Sequence, residues 1–234
     1  MLSALRARLE SALRERILSP FTDPARRVSD SAPTGIAELD ALIGGLPRGA
    51  ITEIFGPPSS GRTGAAIAML AQAAARDEAC ALVDGADAFD PQSGLAAGLD
   101  LAKLLWIRCG SIDQALKTTD LLLQGGGFGC IVMDLSDLPA AAVRRAPPAI
   151  WFRLQRAVEK TPTTLIALNT ESVLQSAAGL ALRMETIASG WSQLLDTIDM
   201  EITVVRGRPQ QDHSPSPNRN TVHVRLHIRP PFTG

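Results

Sequence analysis

A chain of 234 residues, 45% of them hydrophobic and 20% charged, is long enough to bury a substantial core as one principal domain. Its formal net charge of −1 exerts no global pull toward nucleic acid or an anionic membrane, so any such binding would have to come from a local patch. No apolar stretch approaches the roughly 20 residues of a membrane span, the arginine-threaded N-terminus lacks an apolar signal segment, and Cys80, Cys109 and Cys130 are too widely spaced for a disulfide or metal framework. The expectation is a cytoplasmic protein with reduced core thiols and no membrane partner.

Residues 1 to about 18 carry Leu2, Leu5, Leu9, Leu13 and Ile17 at three- and four-residue spacing, with Arg6, Arg8, Arg14, Glu15 and Arg16 around the remainder. That pattern predicts an amphipathic helix. Pro20, Pro24 and Pro33, with Ser29, Asp30 and Ser31 between them, predict an extended linker, so residues 1–33 form an N-terminal helix and linker and 34–234 the core. The apolar stripe either folds back on its own domain or docks on a neighbouring subunit or partner.

From Thr34 to about Asn169 strand and helix alternate: strand 51–55, helix 61–76, strands 79–84 and 104–108, helix 111–124, strand 130–134, helix 149–159 and strand 163–169. Such alternation implies a parallel sheet covered by helices. The runs Ala81-Leu82-Val83, Cys130-Ile131-Val132-Met133 and Leu165-Ile166-Ala167-Leu168 are continuously apolar, as central strands buried on both faces require. Beyond residue 179, segments 180–185, 200–206 and 222–228 alternate apolar and polar residues and read as half-exposed antiparallel strands; the stretch Pro209 to Asn220, rich in Pro, Ser, Gln and Asn, reads as a loop joining the last two.

The chemistry concentrates at Gly56-Pro57-Pro58-Ser59-Ser60-Gly61-Arg62-Thr63, between the strand 51–55 and the helix that begins at 61. This is the pattern Gly-x-x-x-x-Gly-Lys-Ser/Thr with arginine where lysine belongs. The glycines let successive N–H groups curl around one anion, and the following helix, through Gly64, adds its positive end. Lysine offers a compact charge that follows the outer phosphates, whereas arginine brings a planar fork, so Arg62 is compatible with binding and unfavourable to turnover. The Thr63 hydroxyl and Asp134, at the end of the strand 130–134, are placed to hold Mg²⁺. Asp84 and Asp87 follow the neighbouring strand, where a carboxylate either activates water or serves turn chemistry. His223 and His227 share a strand face without an evident third ligand and read, with His213, as surface residues. Arg206, Arg208, Arg225, Arg229 and Lys160 form either a basic patch or a solvated face, and Trp106, Trp151 and Trp191 read as core or interface anchors.

Taken in order, Thr34-Gly35-Ile36-Ala37-Glu38-Leu39-Asp40, Gly44-Gly45-Leu46-Pro47-Arg48-Gly49 and Glu53-Ile54-Phe55 running into the loop resemble the opening of the RecA recombinase core. The resemblance continues through Val83 to Pro91, Gln114-Ala115-Leu116 and Cys130 to Asp134, and fades through Leu165 to Asn169. It implies a RecA-like α/β fold, a mostly parallel sheet flanked by helices with antiparallel C-terminal strands. It also implies ATP with Mg²⁺ at residues 56–64, and an N-terminal helix of the kind that contacts the next subunit.

The departures carry equal information. The family's catalytic glutamate is Ala86 here, leaving only Asp87, one step along, as a substitute base. Its sensor glutamine is Thr170, and the segments corresponding to its two DNA-binding loops, after Asp134 and after Thr170, are short and hold Glu171 rather than a glycine-rich basic stretch. These losses are similar to those of the ImuA type, RecA-like accessory proteins of bacterial mutagenesis cassettes. That likeness implies a damage-tolerance role through contacts with an error-prone DNA polymerase and/or RecA, with weak or absent ATPase activity and weak or indirect DNA contact. The residues leave two other readings open: an active DNA-dependent ATPase of the recombinase class, and a nucleotide-responsive switch unrelated to DNA.

Overall fold

A computed structural model describes residues 31–191, 195–207 and 220–227. Its centre is an eight-stranded sheet in the order β10-β9-β8-β3-β7-β6-β4-β5. The strands are β3 (Ala50–Phe55), β4 (Cys80–Asp84), β5 (Leu104–Arg108), β6 (Cys130–Asp134), β7 (Thr164–Asn169), β8 (Leu180–Trp191), β9 (Leu195–Arg206) and β10 (Thr221–His227). A separate ribbon pairs β1 (Ser31–Ala32) with β2 (Leu46–Pro47). The helices are α1 (Ala37–Ile43), α2 (Arg62–Ala75), α3 (Pro91–Ala96), α4 (Ile112–Gly125), α5 (Ala140–Arg144) and α6 (Pro148–Val158).

The apolar runs are central strands, as their composition requires. Alternate residues face opposite sides: Cys80, Leu82, Cys130, Val132, Ile166 and Leu168 join a core with α2, whereas Ala81, Val83, Ile131, Met133, Leu165 and Ala167 join a second core with α4 and α6. The parallel α/β expectation therefore holds, with α2 laid on one face of the sheet and α4 and α6 on the other.

Local signals account for the helix ends. Ser111 accepts from Gln114 N at the start of α4, while Gln114 Oε1 accepts from Gly110 N, so donors left over by the helix are satisfied from both directions. Asp90 caps α3 through Gln92 N and Ser93 N, with Pro91 pre-set at the first helical position. The alanine-rich α2 ends at Arg76, followed by left-handed Asp77.

Residues 31–33 are not linker throughout, because Ala32 is buried and β1 pairs with β2, so the folded unit starts before Thr34. The C-terminal strands pair antiparallel with one another, as expected, and β8 in addition pairs in parallel with β3, which splices the terminal hairpin onto the parallel sheet directly beside the phosphate-type loop. The predicted helix 1–18, Pro20 and Pro24, most of the loop from Pro209 to Asn220, and His213, Arg208 and Arg229 lie outside the described residues.

The amino ends of the strands are fastened by a charge cluster. Glu78 accepts from Arg48 Nη2 at 2.6 Å and lies 3.2 Å from Arg76 Nη2, and Arg48 Nη1 also donates to Pro162 O at 2.9 Å. Burial pushes the Glu78 carboxyl up, but its hydrogen bonds and charges from Arg76 and Arg48 outweigh that and hold it below the usual range. All three cysteines are free and buried; burial pushes the Cys80 thiol up to about 12 and that of Cys130 well above the ordinary value.

Candidate nucleotide site and the segments around it

The loop between β3 and α2 takes its shape from two glycines. Gly61 has φ 85°, in the left-handed region, and a Cβ there would lie 2.4 Å from Met200 Cε. Gly56 is required by proximity: a Cβ would lie 2.0 Å from the carbonyl oxygen of Met184 on β8. Ser59 is also left-handed, at φ 60°, and its carbonyl accepts from Thr186 Oγ1 at 2.6 Å. The terminal strands thus form one wall of the loop. No motif in the sequence signals this, because the contact joins residues over 120 positions apart.

Arg62 does not project from the loop. Its side chain folds back so that Nη1 donates to Gly56 O, to Pro57 O at 2.6 Å and to Ser60 Oγ at 3.2 Å, and only 6% of the residue is exposed. Burial lowers its pKa from the ordinary arginine value, while the charges of Asp134 and Asp137 pull it back. Nη1 is held by the loop's own oxygens, in the concavity where a lysine would reach toward phosphate, while Nε is buried with no hydrogen-bond partner among the described residues. Pro57, Pro58 and Ser59 are exposed, Ser60 is buried, and Thr63 and Gly64 are exposed at the start of α2.

Beside the loop lies a cavity of about 30 Å³, room for one or two waters, lined by Thr63, Asp84, Phe89, Asp134 and Asp137 among others. Thr63 and Asp134 therefore line the same cavity. Burial raises the Asp134 pKa, the hydrogen bonds from Ser136 N at 2.9 Å and Ser136 Oγ work against this, and Asp137 and Asp84 raise it further. Among the described residues no three His, Cys, Asp or Glu side chains are placed to hold a metal unaided, so Mg²⁺ at Thr63 and Asp134 would draw further ligands from phosphate and water.

Ala86 is half-buried, and Asp87, left-handed at φ 57°, forms a bidentate pair with Arg108 on the edge strand β5. Arg108 lies over the Trp106 ring at 5.4 Å. Asp87 does not line the cavity, and its carboxylate pairs with a guanidinium at the sheet edge. Asp84 is buried and accepts from Ala88 N, Phe89 N and Trp106 Nε1, the turn chemistry that its position allowed.

Two further features were absent from the sequence reading as site components. Glu53, fully buried in β3, accepts from Asn169 Nδ2 at 3.1 Å, Val173 N at 2.7 Å and Leu174 N at 3.0 Å through Oε1, and from Ser172 Oγ at 2.7 Å through Oε2. Its signal was a charged residue inside an apolar strand, which needs partners to be buried at all. The segments after β6 and after β7 are also tied together, by Arg144 Nη1 on Glu171 Oε1 at 2.7 Å. Of the basic residues considered as a patch, Arg225 forms a bidentate pair with Asp199, and Arg206 and Lys160 are exposed. Trp151 is buried and Trp106 half-buried, as core anchors, and His223 is exposed.

A family model described as the RecA N-terminal domain matches residues 11–147. Among curated proteins, the RecA protein of Rhodospirillum rubrum is 33% identical over 202 residues, 86% of this chain and 52% of that protein. The RecA protein of Brucella anthropi is 40% identical over 107 residues, 45% of this chain and 30% of that protein. That of Saccharopolyspora erythraea is 29% identical over 228 residues, 90% of this chain and 65% of its own length. The chain thus spans about half the length of the curated relatives it matches. The crystal structure of the RadB recombinase superimposes with a TM-score of 0.63 at 18% identity, covering 84% of this chain and 95% of that one, which shows the shared fold.

Proposed function

The chain belongs to the RecA family, and from that premise we propose that it acts as an accessory protein of DNA damage tolerance, of the ImuA type, working through contacts with an error-prone DNA polymerase and/or RecA. The observation that carries this reading is Arg62: its guanidinium is spent on Gly56 O, Pro57 O and Ser60 Oγ, inside the loop that would otherwise cradle phosphate. The missing base at Ala86, the commitment of Asp87 to Arg108 and the ion pair between Arg144 and Glu171 point the same way. Each removes a charge that hydrolysis or DNA binding would use, and none disturbs the sheet. ATP with Mg²⁺ is, on this reading, a weak or vestigial ligand. A pull-down with the purified cognate error-prone polymerase and RecA tests it: capture of either supports the reading, and capture of neither overturns it.

A second reading rests on its own observation, the meeting of Thr63 and Asp134 at the same small cavity. It holds that the chain is a DNA-dependent ATPase of the recombinase class that tolerates Arg62. Phosphate release stimulated by single-stranded DNA and abolished by Thr63→Ala would establish it; a rate indifferent to both excludes it.

A further inference from the structure

We infer that the cavity enclosed by α5, the start of α6 and the segment after β7 binds a small uncharged molecule with an aromatic body and an amide-type edge, a carbonyl oxygen beside an N–H. The inference stands apart from the accessory role proposed above, which makes no use of this cavity. The volume is about 300 Å³, at the small end of ligand pockets, and suits a compact molecule better than a polypeptide segment. Polar and apolar side chains share the lining, so the ligand must offer both kinds of surface. Its body is met by Val143, Trp151 and Leu174, all buried, and by the Phe152 ring, which is 37% exposed. Two aromatic side chains in one small cavity favour a ring as that body.

The polar part of the lining decides the head group. Among the described residues, Arg144 and Glu171 are the charged members of the lining, and Arg144 Nη1 donates to Glu171 Oε1 at 2.7 Å, so the site carries no net charge. An ion of either sign would attract one of the two and be repelled by the other. The contact engages Nη1 and Oε1, while the guanidinium has further N–H donors and the carboxylate a further oxygen, so the pair offers a donor next to an acceptor. Its complement is an acceptor next to a donor, the edge of a primary or cyclic amide. Both side chains are about half exposed, at 56% and 44%, so they can adjust to a ligand without stranding a buried charge.

One wall is held ready. Ser172, Val173 and Leu174 line the cavity and are the residues whose hydroxyl and N–H groups Glu53 accepts, so the buried carboxylate acts as a positioning residue for the site. Gln175, next along the same wall, is left-handed at φ 46°, a conformation that side chains rarely adopt and that recurs at ligand clamps. Because this wall is fixed before binding, little ordering remains for a ligand to drive.

The test titrates the ¹⁵N-labelled full chain with benzamide and follows the ¹H–¹⁵N correlation spectrum. Saturable shifts are expected at the Trp151 indole N–H and at the amides of residues 171–175, with a Kd of roughly millimolar, in line with what about nine heavy atoms supply. Benzoate and benzylammonium, which keep the ring but carry a charge, should bind at least about fivefold more weakly, and acetamide, which lacks the ring, at least about tenfold. Glu171→Gln should turn the preference toward benzoate and Arg144→Gln toward benzylammonium, a reversal that a merely structural role would not produce. Ala146→Trp, which fills the cavity from its lining, should abolish the shifts; the two charge variants, on half-exposed side chains, keep the test decisive if that variant does not fold. Absence of saturable shifts with benzamide, equal binding of the three aromatic probes, or an unchanged preference in both charge variants overturns the inference. Stronger shifts of the same signals by a thymidine oligonucleotide than by benzamide also overturn it, since the cavity would then belong to a nucleic acid.

Discussion

Arg62 Nη1 donates to the carbonyl oxygen of Gly56, the residue six positions earlier that opens the same loop. A buried guanidinium needs several acceptors, and here the loop's own oxygens supply three of them to Nη1 alone, leaving Nε without a partner among the described residues. The side chain that would meet a phosphate is thereby enlisted in holding the loop's shape.

Arg62→Lys should release that arrangement, since an ammonium on a flexible stem spans fewer acceptors and can turn toward an incoming anion. Calorimetric titration with Mg·ATP is expected to show the lysine variant binding at least about tenfold more tightly than the parent. Equal affinities would mean that the arginine does not close the loop.

Gly56→Ala should be severely destabilising, because the added methyl would sit 2.0 Å from the carbonyl oxygen of Met184, a backbone atom that cannot swing aside. A loss of roughly 2 kcal/mol or more is expected in urea denaturation. Gly125→Ala is the contrast: it lies in the last turn of α4 with nothing within 4 Å of the added methyl, and should be neutral or stabilising by up to about 1 kcal/mol.

Glu53→Ala leaves Asn169 Nδ2, Val173 N and Leu174 N without their common acceptor. Buried donors orphaned in this way cost about 1–3 kcal/mol each, so the variant should lose at least about 3 kcal/mol and open the segment after β7 to hydrogen exchange. Glu53→Gln, which keeps one oxygen acceptor, should lose clearly less. Equal losses would show that packing rather than hydrogen bonding holds the segment.

Glu78 sets a pH dependence with a defined sign. Its folded pKa is depressed by Arg76 and Arg48 against the effect of burial, so the unfolded chain binds its proton at higher pH than the folded one. The stability this contributes is present above the unfolded value, about 4.3, and is lost as pH falls through the lower folded value. Thermal melts from neutral to acid pH should show parent and Glu78→Gln converging at the acid end, with the parent more stable at pH 7. A gap that stays constant with pH would remove Glu78 as its source.

Much of the fold was legible because its signals are local. The run Cys130 to Met133 needs two covered faces to be stable, and the phosphate-type loop needs a strand before it and a helix after it; both are properties of a few consecutive residues. Short elements escaped this reading. α1, α3 and α5 span 7, 6 and 5 residues, too few for a helical period to stand out, and β1 pairs over only two residues inside what reads as linker. The parallel pairing of β8 with β3 was equally hidden, since alternation of polar and apolar residues tells which face is buried and not which neighbour is chosen.

At the site, the residue order supplies the inventory: an arginine in the lysine position, a hydroxyl at Thr63, a carboxylate ending β6, and alanine where a base is expected. The fold assigns those groups their partners. It turned Arg62 inward onto Gly56, paired Asp87 with Arg108 across 21 positions of sequence, and brought Glu53 to Val173 across 120. The physical reason is range. Backbone conformation answers to neighbours within a turn or a strand, whereas a charged side chain must find whatever partner the completed fold sets within hydrogen-bond reach, and burial makes that partner obligatory.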